Sequence, residues 1–262
     1  MKTLKGKTAF ITGASSGIGE AIAYELAQHG ANLILTARST AKLQAIAAAI
    51  RQQHGVAVAV FPGDLARKET AQALYEQVKR AGLTVDVLVN NAGFGKWTHF
   101  LDQSSETYEQ MIELNVNSVV KLTHLFLPDL LHQGEGGILN VASTGSFQPC
   151  PYIATYCATK AFVLSFSEGL HGEYAQRGVT VTALCPGNTD TGFQATASAD
   201  TKGMRSDTSA RVAREGIQAL LRGKSFHVVG TDNYLQSLLP RWLPRKTVIN
   251  LVGGMMSKKV VA

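Results

Sequence analysis

Short, nearly continuous apolar runs recur along the chain at 8–11, 32–36, 56–61, 85–89, 137–141, 179–184 and 225–229. Between them, apolar residues return with a helical period over 17–29, 40–53, 67–80, 105–131, 153–176 and 208–222. Runs of that length with few polar interruptions are expected of parallel strands covered by helices on both faces. Gly30, Gly55, Gly82 and Gly178 stand where helices should stop. About seven strand–helix repeats predict a single doubly wound α/β domain of the Rossmann type, with an approximately seven-stranded parallel sheet spanning 1–262. A closed eight-stranded barrel is the competing architecture, and it needs an eighth repeat that the pattern lacks.

Two stretches fall outside the repeat. Residues 188–207 are rich in Thr, Ser, Ala and Asp and weakly periodic, which predicts a long mobile, lid-like insertion. Residues 235–262 form an apolar and basic extension in which Pro240 and Pro244 are expected to interrupt any helix.

At 262 residues, 45% hydrophobic and 17% charged, the chain is too apolar to be disordered. No apolar run reaches about 18 residues, so no spanning helix is expected. The first seven residues lead straight into the first strand, leaving no room for a secretory leader. Cys150, Cys157 and Cys185 fit neither a disulfide framework nor a metal site. Together these features predict a soluble cytoplasmic protein with reduced thiols and no metal. The net charge of +6 comes from 25 Lys and Arg against 19 Asp and Glu. No acidic residue follows Asp232, whereas Arg241, Arg245, Lys246, Lys258 and Lys259 do, so the body is nearly neutral. Nucleic acid is therefore not an expected partner.

The first strand runs into Thr12-Gly13-Ala14-Ser15-Ser16-Gly17-Ile18-Gly19, which opens a helix. Gly13 permits a tight turn, Gly17 lets the backbone approach a pyrophosphate, and Gly19 lets the helix lie close to the strand. Ser15, Ser16 and Ile18 contribute the remaining amides at the helix start. The spacing is G-x3-G-x-G, not the commoner G-x-G-x-x-G, and a plain strand-to-helix turn is the bland alternative. The second strand ends in Thr36-Ala37-Arg38-Ser39, with a cation where a ribose 2′-hydroxyl would need a carboxylate. Arg38, assisted by Ser39, suits a 2′-phosphate, so NADP(H) is the expected cofactor. Asp64 and Leu65 follow the third strand, where Asp64 either accepts from an adenine or caps a helix. Asn91, Ala92 and Gly93 follow the fourth.

Tyr156 and Lys160 are four apart, on one face of a predicted helix, and Ser143 ends the fifth strand. A phenol of pKa about 10 becomes a usable acid/base at neutral pH when an ammonium stabilises its anion. Ser143 can then hold a carbonyl oxygen to which Tyr156 passes the proton. An exposed helical pair is the alternative for Tyr156 and Lys160 taken alone.

These motifs, with Asn115 and Pro186-Gly187, resemble the short-chain dehydrogenase/reductase family in order and approximate spacing over about residues 5–230. The resemblance implies Tyr156 as general acid/base, Lys160 as its partner, Ser143 as carbonyl donor and Asn115 as holder of a relay water. It implies that Pro186, Gly187, Thr189 and Thr191 line the nicotinamide. Ser16 stands where many NADP-preferring members carry a basic residue, so Arg38 carries the cofactor preference. Residues flanking this set, namely Phe94, Trp97, Gly145, Phe147, Cys150, Ile153 and Phe193, are expected to line the substrate site. They predict an apolar ketone, aldehyde or 3-oxoacyl-like carbonyl, or the matching secondary alcohol. A non-catalytic NADP(H) sensor or scaffold, and an epimerase or dehydratase on the same fold, are the alternatives. The resemblance also implies a homodimer or homotetramer built through 105–131 and 153–176. For the tail, packing over the active site or a second subunit is favoured over contact with a membrane surface.

Overall fold

A computed structural model describes residues 3–260. The chain runs β1 (Thr8–Thr12), α1 (Gly17–Gln28), β2 (Asn32–Thr36), α2 (Thr40–His54), β3 (Val58–Val60), α3 (Thr70–Arg80) and β4 (Val87–Asn90). It continues through α4 (Ser105–Ile112), α5 (Ser118–Gln133), β5 (Gly136–Val141), α6 (Ala154–Tyr174) and β6 (Val179–Cys185). The remainder is β7 (Thr189–Asp190), α7 (Phe193–Ala197), β8 (Asp207–Thr208), α8 (Ser209–Leu221), β9 (Phe226–Val228), α9 (Thr231–Trp242) and α10 (Arg245–Met256).

Seven strands form one parallel sheet in the order β3-β2-β1-β4-β5-β6-β9. The alternation of side chains along β1 explains its unbroken apolar run. Ala9 and Ile11 face a cluster with Ile22 and Leu26 of α1, while Phe10 faces the opposite cluster with Leu74 of α3 and Phe126 of α5. Both faces are buried, as the sequence pattern requires. Successive strands step outward from β1 to β3, and the chain then crosses back to lay β4 on the other side of β1. That reversal opens a crevice at the carboxyl ends of β1 and β4, where ligands bind in such sheets.

The structure departs from the sequence pattern in three places. The single helix expected over 105–131 is two, α4 and α5, joined by a wide π turn at Glu113–Asn117. The 188–207 stretch is not structureless: β7 pairs in parallel with β8, and α7 lies between them. In the tail, Pro240 lies inside the last turn of α9, where only one backbone bond is lost, and Pro244 precedes the first residue of α10, a position proline tolerates. None of the described helices is long and apolar enough to cross a membrane.

Candidate active site

The glycine turn after β1 is held by the ends of neighbouring strands. Thr12 Oγ1 donates to the Val89 carbonyl at 3.2 Å and accepts from the amides of Asn91 and Ala92, both at 2.9 Å. Asn91 Nδ2 donates to the carbonyls of Thr12 and Gly13 at 2.9 and 3.3 Å. Gly13 adopts φ +65°, which only glycine takes without strain. A Cβ on Gly19 would lie 2.3 Å from the Gly13 carbonyl oxygen and 2.4 Å from Asn91 Nδ2, so no side chain fits there.

α1 begins at Gly17 without a side-chain cap, although Ser16 occupies the N-cap position. Ser39, Ser104 and Thr208 do cap α2, α4 and α8. The first amides of α1 therefore remain available, with the helix dipole, for an anion. A Cβ on Gly17 would come within 3.1 Å of Thr191, so Thr191 borders the same cradle. Arg38 is exposed, and no salt bridge among the described residues engages it. Asp64 is not the cap of α3, which starts at Thr70 behind Glu69; its carboxylate instead accepts from the Ala66 amide at 3.1 Å. Leu65 is buried in the core beside α3. These residues fit a dinucleotide: a bare helix start, glycines with no room for side chains, and a free cation at the end of β2.

Tyr156 and Lys160 share one face of α6, and Ser143 lies two residues beyond β5, heading the helical turn at Thr144–Ser146. Ser143 lies close enough to the Tyr156 phenol to ease its ionisation, although no direct hydrogen bond joins the two side chains, and Ser143 Oγ accepts from the Gly145 amide at 3.1 Å. Lys160, 5% exposed, donates from Nζ to the Val141 carbonyl at 2.7 Å. Its amine lies 5.8 Å from the centre of the Tyr156 ring. Burial lowers the Lys160 ammonium to about 8. Burial pushes the Tyr156 phenol up, with the neighbouring Cys157 adding to the rise and Ser143 opposing it. The expected downward pull of Lys160 therefore does not set the phenol's acidity in this structure.

Asn115 sits in the wide turn between α4 and α5, fully buried. Its side chain clamps Phe94, accepting from the amide at 3.1 Å and donating to the carbonyl at 2.9 Å, and donates to Thr159 Oγ1 at 3.1 Å. That clamp seats Gly93 beside the lysine, since a Cβ there would be 3.0 Å from Asn115 Oδ1 and 3.4 Å from Lys160 Nζ. Thr189 is buried and donates to the Gly187 carbonyl at 3.1 Å. Pro186 accepts from the Thr144 amide at 2.9 Å, tying this stretch to Ser143.

Trp97, Cys150, Ile153, Cys157 and Tyr156 form one apolar cluster with Val252 and Met256 of α10, and Phe193 of α7 packs on Tyr156 with ring centres 5.4 Å apart. The extension thus covers the edge of the site, as favoured from sequence. Phe147 departs from the expectation: it turns into a separate core cluster and meets Phe226 at 6.2 Å, because the helical turn at Thr144–Ser146 swings it away. Three contributors lay outside the expected set. Thr12 stitches the strand ends, Thr159 holds Asn115, and Gly95 leaves room for the tyrosine, since its Cβ would be 2.8 Å from Tyr156 Cδ2. Thr12 opens the glycine motif itself, with no role assigned to it from sequence, and Gly95 lies two residues after Gly93.

This arrangement of glycine turn, strand-end serine and helical tyrosine–lysine pair has counterparts of known type. A family model for short chain dehydrogenase matches residues 7–202, and the chain belongs to that family. It is 39% identical over 187 residues to the very-long-chain 3-oxoacyl-CoA reductase of Anas platyrhynchos, covering 69% of this chain and 59% of that protein. The chain thus spans less than two thirds of that relative's length. The human protein of the same description is 32% identical over 259 residues, covering 94% of this chain and 80% of the relative. Among solved structures, a short-chain dehydrogenase from Sphingobium yanoikuyae in complex with NADPH superposes with a TM-score of 0.81 at 30% identity, covering 91% of this chain and 97% of the other.

Proposed function

We propose that the chain is an NADP(H)-dependent oxidoreductase that interconverts an apolar carbonyl and its secondary alcohol, with Tyr156 as general acid/base. The observation that carries this reading is that Ser143, Tyr156 and Lys160 lie at the same carboxyl end of the sheet as the uncapped start of α1. Gly13, Ser15, Ser16, Gly17, Ile18 and Gly19 would hold the pyrophosphate, Arg38 and Ser39 the 2′-phosphate, and Asp64 with the main chain of Leu65, whose side chain is in the core, the adenine. Asn91, Ala92, Gly93, Pro186, Gly187, Thr189 and Thr191 would border the nicotinamide half. The bound nucleotide supplies or accepts the hydride.

The chain's own residues handle the oxygen. Ser143 Oγ holds the substrate carbonyl, and Tyr156 Oη gives it a proton as negative charge develops there. Lys160, still charged below about pH 8, stabilises the phenolate left behind. The Asn115 amide is committed to Phe94 and Thr159, so its part is to seat this wall beside Lys160.

The apolar lining from Trp97, Ile153 and Phe193 supports a hydrophobic ketone or 3-oxoacyl-type substrate, as do the relatives described as 3-oxoacyl-CoA reductase and 17-beta-hydroxysteroid dehydrogenase type 3. The test is loss of NADPH absorbance across a panel of carbonyls graded in chain length and charge. Turnover rising with apolar length supports the proposal; a preference for short anionic substrates overturns it.

A further inference from the structure

Seven of the twelve large hydrophobic side chains exposed among the described residues fall in the last two helices: Tyr234, Leu235, Leu239 and Trp242 on α9, and Ile249, Leu251 and Met255 on α10. Trp242 is 84% exposed. Leu235, Leu239 and Trp242 follow a helical spacing, so they share one outward stripe. α10 has two distinct sides. Val248, Val252 and Met256, spaced by four, turn inward, with Val252 and Met256 in the cluster around Tyr156. Leu251 and Met255, also spaced by four, turn outward.

Beyond Asp232 in the first turn of α9, every charged side chain of these helices and of the segment after them is positive. Arg241, Arg245, Lys246 and Lys258 are exposed, and none of them forms a salt bridge among the described residues. Asp232, the last acidic residue of the sequence, pairs with Arg205. Arg245 and Lys246 occupy the first turn of α10, where the positive end of the helix dipole disfavours cations. Their placement opposes helix stability, which points to a negatively charged partner outside the chain.

We propose that the outer faces of α9 and α10 dock on an anionic lipid bilayer. A bilayer surface offers hydrocarbon to Leu235, Leu239, Trp242 and Leu251, and phosphate to the four cations. A second copy joined through the same face in a two-fold arrangement would set these cations against one another with no acid to pair them. Each helix has 12 residues, about 18 Å long and shorter than a hydrocarbon core of about 30 Å, so the helices lie on the surface and do not span it. The inner face of α10 links that surface to the edge of the tyrosine cluster.

The test floats the full chain with vesicles of phosphatidylcholine alone, or mixed with an equal part of phosphatidylserine, at low and high salt. Wild type should float with the mixed vesicles, far less with phosphatidylcholine, and be released by salt. Each cation near such a surface contributes about fivefold in affinity, so R245E/K246E should bind at least tenfold more weakly. W242S/L251S should do the same, and both variants should keep the wild-type melting temperature within a few degrees. Wild type that stays in solution, or variants that float as well as wild type, would overturn the proposal. So would variants that lower the sedimentation coefficient of the vesicle-free protein, since that places a second copy on this face.

Discussion

Lys160 brings an amine into a site that water scarcely reaches, and its ordinary value of 10.5 falls to about 8 there. Below about pH 8 the folded and unfolded chains both carry the proton, so the cost of burying the charge is present in full. Between about 8 and 10.5 the folded chain loses it first and the cost fades. Lys160→Met, which keeps the bulk without the charge, should therefore change stability by an amount that depends on pH. Near pH 7 relief of the buried charge contributes about 1–3 kcal/mol in its favour, offset by the Val141 carbonyl left without its donor. By pH 10 most of that contribution has faded. Denaturation at both pH values checks this, and a difference independent of pH would contradict it. Arg38 is the second residue on which a choice turns. A guanidinium–phosphate contact is worth about 1.5–3 kcal/mol, so Arg38→Glu should weaken NADPH binding by about 10- to 100-fold and leave NADH unaffected or improved. Equal weakening of both nucleotides in fluorescence titration would remove Arg38 from the 2′-phosphate.

Among the elements, the β1–α1 turn tolerates little change. Gly19→Ala would force its new methyl group to within 2.3 Å of the Gly13 carbonyl oxygen, and neither backbone nor the Asn91 amide can give way cheaply. The variant should lose about 2 kcal/mol or more and bind NADPH poorly; an unaltered melting temperature would show that the turn has slack. This element was legible in the sequence because glycine at three spaced positions has few other uses. The sheet was legible for the same kind of reason: strands buried on both faces, such as Ala9-Phe10-Ile11, have no polar alternation to imitate. The wide turn at Glu113–Asn117 was not legible, because Met111 and Leu122 continue an apolar stripe on either side of it and one extra residue per turn hardly disturbs the period. Phe147 was equally opaque. An aromatic next to a site can swing towards it or into the core, and the short helical turn after Ser143 decides which.

Across the whole molecule, the reversal of strand order at β1 and β4 places the glycine turn and the tyrosine at one end of the sheet, while α10 closes over the same end. α6 displays Phe162, stacked on Phe166 at 5.6 Å, and α4 displays Ile112. A stacked pair whose outer ring, Phe162, is exposed suits a second copy of the chain, so the protein should sediment as a dimer or larger and Phe162→Glu should shift it to monomer; an identical sedimentation coefficient for the two would argue against that face. None of this bears on the reaction unless the phenol of Tyr156 moves the proton. Tyr156→Phe removes a single oxygen from the site, and two readings on that variant decide the matter: NADPH affinity by titration and NADPH-dependent carbonyl turnover. Affinity within a few-fold of wild type, with kcat/KM down by about 10²- to 10⁴-fold, is the predicted result, and turnover at the wild-type rate would contradict it.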